Sequence, residues 1–95
     1  MPLSSFTEKD KVHGANAILT EILKINISKM TADPPTMTRA QLDALEDLAA
    51  YQKIIFLIQI GDLTRAKILV QALDNTYYTE GEKAEIIAII DTYNV

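Results

Sequence analysis

Cysteine and tryptophan are absent from the 95 residues, and histidine occurs once, at His13. Without cysteine there is no disulfide framework, no thiolate metal site and no thiol nucleophile, so stability has to come from packing. His13 has neither a cysteine nor a second histidine to join it in a zinc site or a catalytic dyad, and it reads as an ordinary helical residue. Glycine is scarce, at positions 14, 61 and 81 only, and no Gly-Lys-Ser/Thr sequence occurs, which removes the phosphate loop of nucleotide hydrolases. Arginine is scarcer still, Arg39 and Arg65, within a net charge of −4. A chain of that balance lacks the basic surface that exchanges counterions with nucleic-acid phosphates. No apolar run exceeds five residues, Ile54–Ile58 among them, and no basic segment precedes one near the start, so neither a leader nor a membrane span is expected. The sequence predicts a cytoplasmic protein.

What remains is a packed globular composition: 48% hydrophobic, 23% charged, with 13 Ile, 10 Leu and 11 Ala. The length suits one domain over residues 1–95. Hydrophobic residues recur with helical period throughout, and no alternating runs are bounded by turn signals. We therefore expect an all-α fold, a small domain of four helices, two long and then two shorter, packed as helical hairpins. The first helix covers about 7–30, with Val12, Ala15, Ile18, Leu19, Ile22, Leu23, Ile25 and Met30 on one broad face that also holds Asn26 and Lys29. Ser5 with Glu8, or Thr7 with Asp10, has the spacing of a capping box at its start. Residues 31–37, containing Asp33-Pro34-Pro35, form the linker, because neither proline donates a backbone hydrogen bond and Pro34 disfavours helix at Asp33.

Thr38 with Gln41 is a second capping box, with Met37 placed to staple against Leu42, and it opens a helix over 38–60 that ends at Gly61. The half from Tyr51 to Ile60, YQKIIFLIQI, is apolar nearly all the way round, so it needs neighbours on every side. Asp62 caps a third helix over 62–75 with Leu63, Ala66, Leu69, Val70 and Leu73 inward. Thr79 with Glu82 opens a fourth over 79–94, aligning Ile86, Ile87, Ile90 and Tyr93. The stretch Ile54–Leu73, with Gly61-Asp62-Leu63 and then Ala66, resembles a helical hairpin of the tetratricopeptide kind. It departs from that pattern at the later small-residue position, where Leu73 stands and Ala72 is one place early.

Two carboxylate groups are the candidates for chemistry: Asp43, Glu46 and Asp47 on the second helix, and Glu82, Glu85 and Asp91 on the fourth. They invite comparison with all-α pyrophosphohydrolases that hold magnesium through paired acidic helices, and such an enzyme is the competing reading. A helical wheel turns Asp43 and Asp47 away from Leu45 and Leu48, and Glu85 and Asp91 away from Ile86 and Ile90, towards water. No cofactor, metal, small-molecule substrate, nucleic acid or membrane is expected to bind.

The apolar excess points instead to a non-enzymatic protein-protein interaction module, a homo-oligomer or an obligate component of a complex, of the assembly or adaptor type found among viruses and mobile elements as elsewhere. The candidate interface is Ile18, Ile22 and Ile25 on the first helix, Gln52, Ile54, Phe56, Leu57, Ile58 and Gln59 on the second, and Tyr77 and Tyr78 in the last connection. Gln41, Gln52 and Gln59 share one sector of the second helix, a polar seam that can set register in helical assemblies. Residues 1–30 carry +1 and residues 31–95 carry −5, which fits an alternative in which an acidic inhibitor or nucleic-acid mimic occupies a basic partner.

Overall fold

The computed structural model describes the backbone of residues 3–93 and the side chains of residues 14–93. Among the described residues five helices follow one another: α1 (Leu3–Thr31), α2 (Arg39–Asp47), α3 (Ala49–Ile60), α4 (Leu63–Ala72) and α5 (Glu80–Thr92). No strand occurs among the described residues, so the fold is all-helical as the periodicity predicts. α3 lies at the centre, packed against α1 and α4, while α5 covers α4 and reaches α1, and α2 touches α3. The extents are 51 × 22 × 21 Å, the long dimension matching a 29-residue α1 of roughly 43 Å at 1.5 Å per residue.

Several expected boundaries are met by the chemistry proposed for them. Thr38 accepts from the Gln41 N–H while the Gln41 side chain accepts from the Thr38 N–H, and Thr79 and Glu82 form the same reciprocal pair. The Asp62 carboxylate accepts from the Arg65 N–H at 3.4 Å. Gly61 takes the left-handed conformation at φ 81°, and its N–H together with that of Asp62 closes the end of α3 onto Ile58 and Leu57. The linker folds back on the end of α1, where the Lys29 carbonyl accepts from the N–H groups of both Thr36 and Met37.

Three boundaries differ. α1 begins at Leu3, so Ser5 and Thr7 lie inside the helix and not at its cap; their side chains, with that of His13, lie outside the described residues. α4 stops at Ala72, with Leu73 extended at φ −63°, ψ 146°. Most consequential, the expected helix over 38–60 is two helices. Leu48 keeps a helical φ of −66° but turns to ψ 129°, ending α2 and starting α3 without proline or glycine. Folding back across this point leaves Leu45 fully buried, so tertiary packing overrides the local preference for one continuous helix.

The core gathers Ala15, Ile18 and Ile22 of α1, Leu45 of α2, Ile54, Leu57 and Ile58 of α3, Ala66 and Val70 of α4, and Ile86 and Ile90 of α5. Met37, Leu73 and Tyr78 complete it from the connections. Leu63, Leu69 and Ile87, read as inward-facing, are half-buried at its margin, whereas Leu23 and Tyr93 turn to the surface.

Candidate protein interaction surface

Six of the eleven residues proposed for an interface belong to the chain's own core: Ile18, Ile22, Ile54, Leu57, Ile58 and Tyr78. Their faces are consumed in packing α1 on α3 and α3 on α4, which the sequence could not separate from packing against a second molecule. Ile25 and Tyr77 are half-buried against that core. Gln52, Phe56 and Gln59 are exposed on the outer face of α3.

The surface gained in exchange was not marked by periodicity. Leu23 and Ile27 form an i, i+4 pair on α1, and Phe56 and Ile60 form another on α3. Each of these four, with Ile68 on α4, has more than half of its surface open to water: 55%, 51%, 57%, 52% and 63%. On α3 the exposed row reads Gln52, Phe56, Gln59, Ile60, at the spacing of one helical face. The signal that could have found it is α3 itself. A helix apolar all round has to leave one side unpacked when α1 and α4, with α2 touching it, cover only part of its circumference.

Beneath the surface lies a polar network linking α1 to the last connection and α5. Tyr78 donates its hydroxyl to Asn26 Oδ1 at 2.6 Å, and Asn26 Nδ2 reaches the Tyr51 hydroxyl at 3.5 Å. Lys29, only 7% exposed, donates to Glu82 Oε1 at 2.5 Å and stands 5.8 Å from the Tyr78 ring centroid, within cation–π range. Burial, reinforced by the adjacent Tyr51, pushes the Tyr78 phenol far above its ordinary value. Burial also pushes the Glu82 carboxyl up, but the hydrogen bonds from Lys29 and the Thr79 N–H outweigh it and hold Glu82 below the usual carboxylate range. The placement of Asn26 and Lys29 in the middle of an apolar face was the clue, since buried polar groups keep partners.

Lys83 has a parallel task in α5. Its buried ammonium donates to the carbonyls of Gln71 (3.1 Å) and Leu73 (2.9 Å), groups the end of α4 leaves unpaired, and its third partner is Glu80 at 3.2 Å. The hydrogen bond from Lys83, followed by that from Asn75, holds the exposed Glu80 carboxyl low. Among the described residues, no buried side-chain nitrogen or oxygen lacks a partner.

The two acidic sets do not converge. Asp43 pairs with Arg39 along α2, Asp91 with Lys67 of α4 at 2.6 Å, and Glu82 is occupied by its cap and Lys29, while Glu46, Asp47 and Glu85 face water. No group of three or more His, Asp or Glu side chains among the described residues stands close enough to hold a metal ion. An open cleft of about 330 Å³ lies between α1 and α5, lined by Glu21, Lys24, Ile25, Ser28, Lys29, Thr36, Glu82 and Glu85, in which Lys24 pairs with Glu21 and Lys29 with Glu82. No helix among the described residues is long and apolar enough to cross a membrane. Compared with known proteins, the chain matches no family model, no curated protein and no solved structure.

Proposed function

We propose that this chain is a non-enzymatic interaction module that associates with a second copy of itself through the outer helix faces. The observation that supports this reading is the set of i, i+4 apolar pairs, Leu23 with Ile27 and Phe56 with Ile60, more than half exposed on two helices that pack together. Scattered apolar residues are ordinary on a surface, whereas paired ones on one helix face form the kind of stripe that helix docking uses. Gln52 and Gln59 flank Phe56 and supply amides that give such a contact a register.

Light scattering behind a sizing column, across micromolar dilutions, tests this. The expected result is a multiple of 10.6 kDa, converted to the monomer by Phe56→Glu combined with Ile60→Glu with helix content by circular dichroism retained. A wild-type chain that stays monomeric at every concentration refutes the proposal.

A further inference from the structure

The break at Leu48 is unusual in what it lacks. The segment Ala44-Leu-Glu-Asp-Leu-Ala-Ala-Tyr-Gln-Lys53 consists largely of strong helix formers and contains neither glycine nor proline. Leu48 departs from helical geometry in ψ alone, and no side chain caps the helix it opens. The N–H groups of Ala49, Ala50 and Tyr51 consequently take no protein acceptor, and the first backbone bond of α3 is from the Gln52 N–H to the Leu48 carbonyl. On the other side of the break, the Gln52 side chain bends back to donate to the Glu46 carbonyl at 3.0 Å. Rotation of one dihedral would join α2 and α3 into a 22-residue helix of roughly 33 Å and restore the missing ladder.

A continuous helix also resolves the odd distribution of apolar residues. Leu42, Leu45, Ala49, Gln52, Phe56 and Gln59 are separated by alternating steps of three and four residues, the heptad spacing of a coiled-coil seam. In the bent chain that seam is divided: Leu45 is buried in the core while Phe56 faces water. Only in a straight helix do these residues share one stripe, which a second straight helix of matching pattern would cover.

We propose that Leu48 is the hinge of a domain-swapped dimer, in which residues 39–60 straighten and each chain's α1 docks on α3 and α5 of the other copy. This rests on the self-association proposed above and specifies its route. The contacts α1 makes with α3 and α5 are then remade in kind between chains, and the two straightened helices pair along the heptad seam. A one-residue hinge favours exchange, because a short connection constrains the closed form.

The cysteine-free chain offers a direct test. A Cβ built on Gly14 of α1 lies 3.8 Å from the Cβ of Tyr93 beyond α5, within the range that a disulfide spans. These positions lie on opposite sides of the hinge. Gly14→Cys with Tyr93→Cys, purified as dimer and mildly oxidised, should give covalent dimers on a denaturing, non-reducing gel. Ala49→Pro is the control that holds the bend. It puts proline at the first helical position of α3, where no N–H bond is lost, and it restricts Leu48 to the extended conformation it already has. That variant should fold with the helix content of the wild type, yet lower the association constant of the exchanged dimer by roughly a hundredfold for each straightened helix, as a proline inside a continuous helix demands. Gln52→Leu, which releases the Glu46 carbonyl and adds leucine to the seam, should raise it. Dimers whose disulfides are all within one chain, or dimers that persist in Ala49→Pro, overturn the exchange and leave surface association standing. A monomer at every concentration overturns both.

Discussion

Replacing Tyr78 by phenylalanine removes one oxygen atom from the best-buried hydrogen bond between distant segments, and its cost follows from the geometry. The Tyr78 hydroxyl donates to Asn26 Oδ1 at 2.6 Å, and both residues are nearly inaccessible, at 1% and 3%. Loss of the bond itself is worth about 1 kcal/mol, and leaving the Asn26 oxygen buried without a donor adds a penalty of similar size, for a total near ~2 kcal/mol. In a chain of this length that is a fall in melting temperature of roughly 8 to 16 °C. Asn26→Leu alone should cost about as much, because it strands the Tyr78 hydroxyl. The double variant, with both partners apolar, should lie within ~1 kcal/mol of the wild type, giving a coupling energy of about 3 kcal/mol or more in a cycle measured by urea denaturation. The alkaline limb gives a second readout. The phenol is raised in the folded state, so its stabilisation is complete below the unfolded value near ~10 and declines as pH rises past it, when only the unfolded chain ionises. Tyr78→Phe should flatten that decline. A shift of less than ~2 °C for Tyr78→Phe, against the several degrees expected per kcal/mol, or single effects that simply add, would refute the assignment of this bond as a core tie.

Two further outcomes concern the buried Lys83 and the partly buried Glu82. Lys83→Met should destabilise by about 2 to 3 kcal/mol, because the carbonyls of Gln71 and Leu73 lose their donor, and chemical denaturation followed by circular dichroism measures it. Glu82 is held below its unfolded value, so it stabilises the fold above that value and the benefit is lost as pH falls through the folded one; Glu82→Gln should therefore flatten the acid limb of a stability profile below about pH 4.5.

The features legible in the sequence were those governed by a few adjacent residues. Thr38 with Gln41, Thr79 with Glu82, Asp62 and Gly61 each end or begin a helix where local chemistry requires it. The all-helical class followed from periodicity in the same way. Orientation was less legible, because it depends on which helices pack beside which. Ile54 and Ile58 turn inward while Phe56 and Ile60 turn outward on a helix apolar all round, and no count of apolar residues distinguishes the two sides. Leu73 and Lys83 show a similar limit. The early stop of α4 is supported by an ammonium ten residues away in sequence, a partner that propensity within the helix does not register.

Leu48 shows where the two levels conflict. Helix propensity through Ala44–Lys53 favours continuity, and the open N–H groups of Ala49, Ala50 and Tyr51 are the local cost of interrupting it. What offsets that cost is burial at a distance: Leu45 at 0% exposure, with Leu48 partly covered beside it. Burying a leucine side chain is worth roughly 2 kcal/mol, and three missing helical hydrogen bonds, rehydrated by water at exposed positions, cost a comparable amount. With the opposing terms so close, the bend persists only while the core that receives Leu45 stays assembled. Whatever loosens that core, whether dilute denaturant or substitution of Leu45 by alanine, should shift the segment towards the continuous helix its sequence prefers. The expected sign is then unusual for a core substitution: Leu45→Ala lowers the stability of the bent monomer and, at the same time, keeps or raises helix content at residues 44–53.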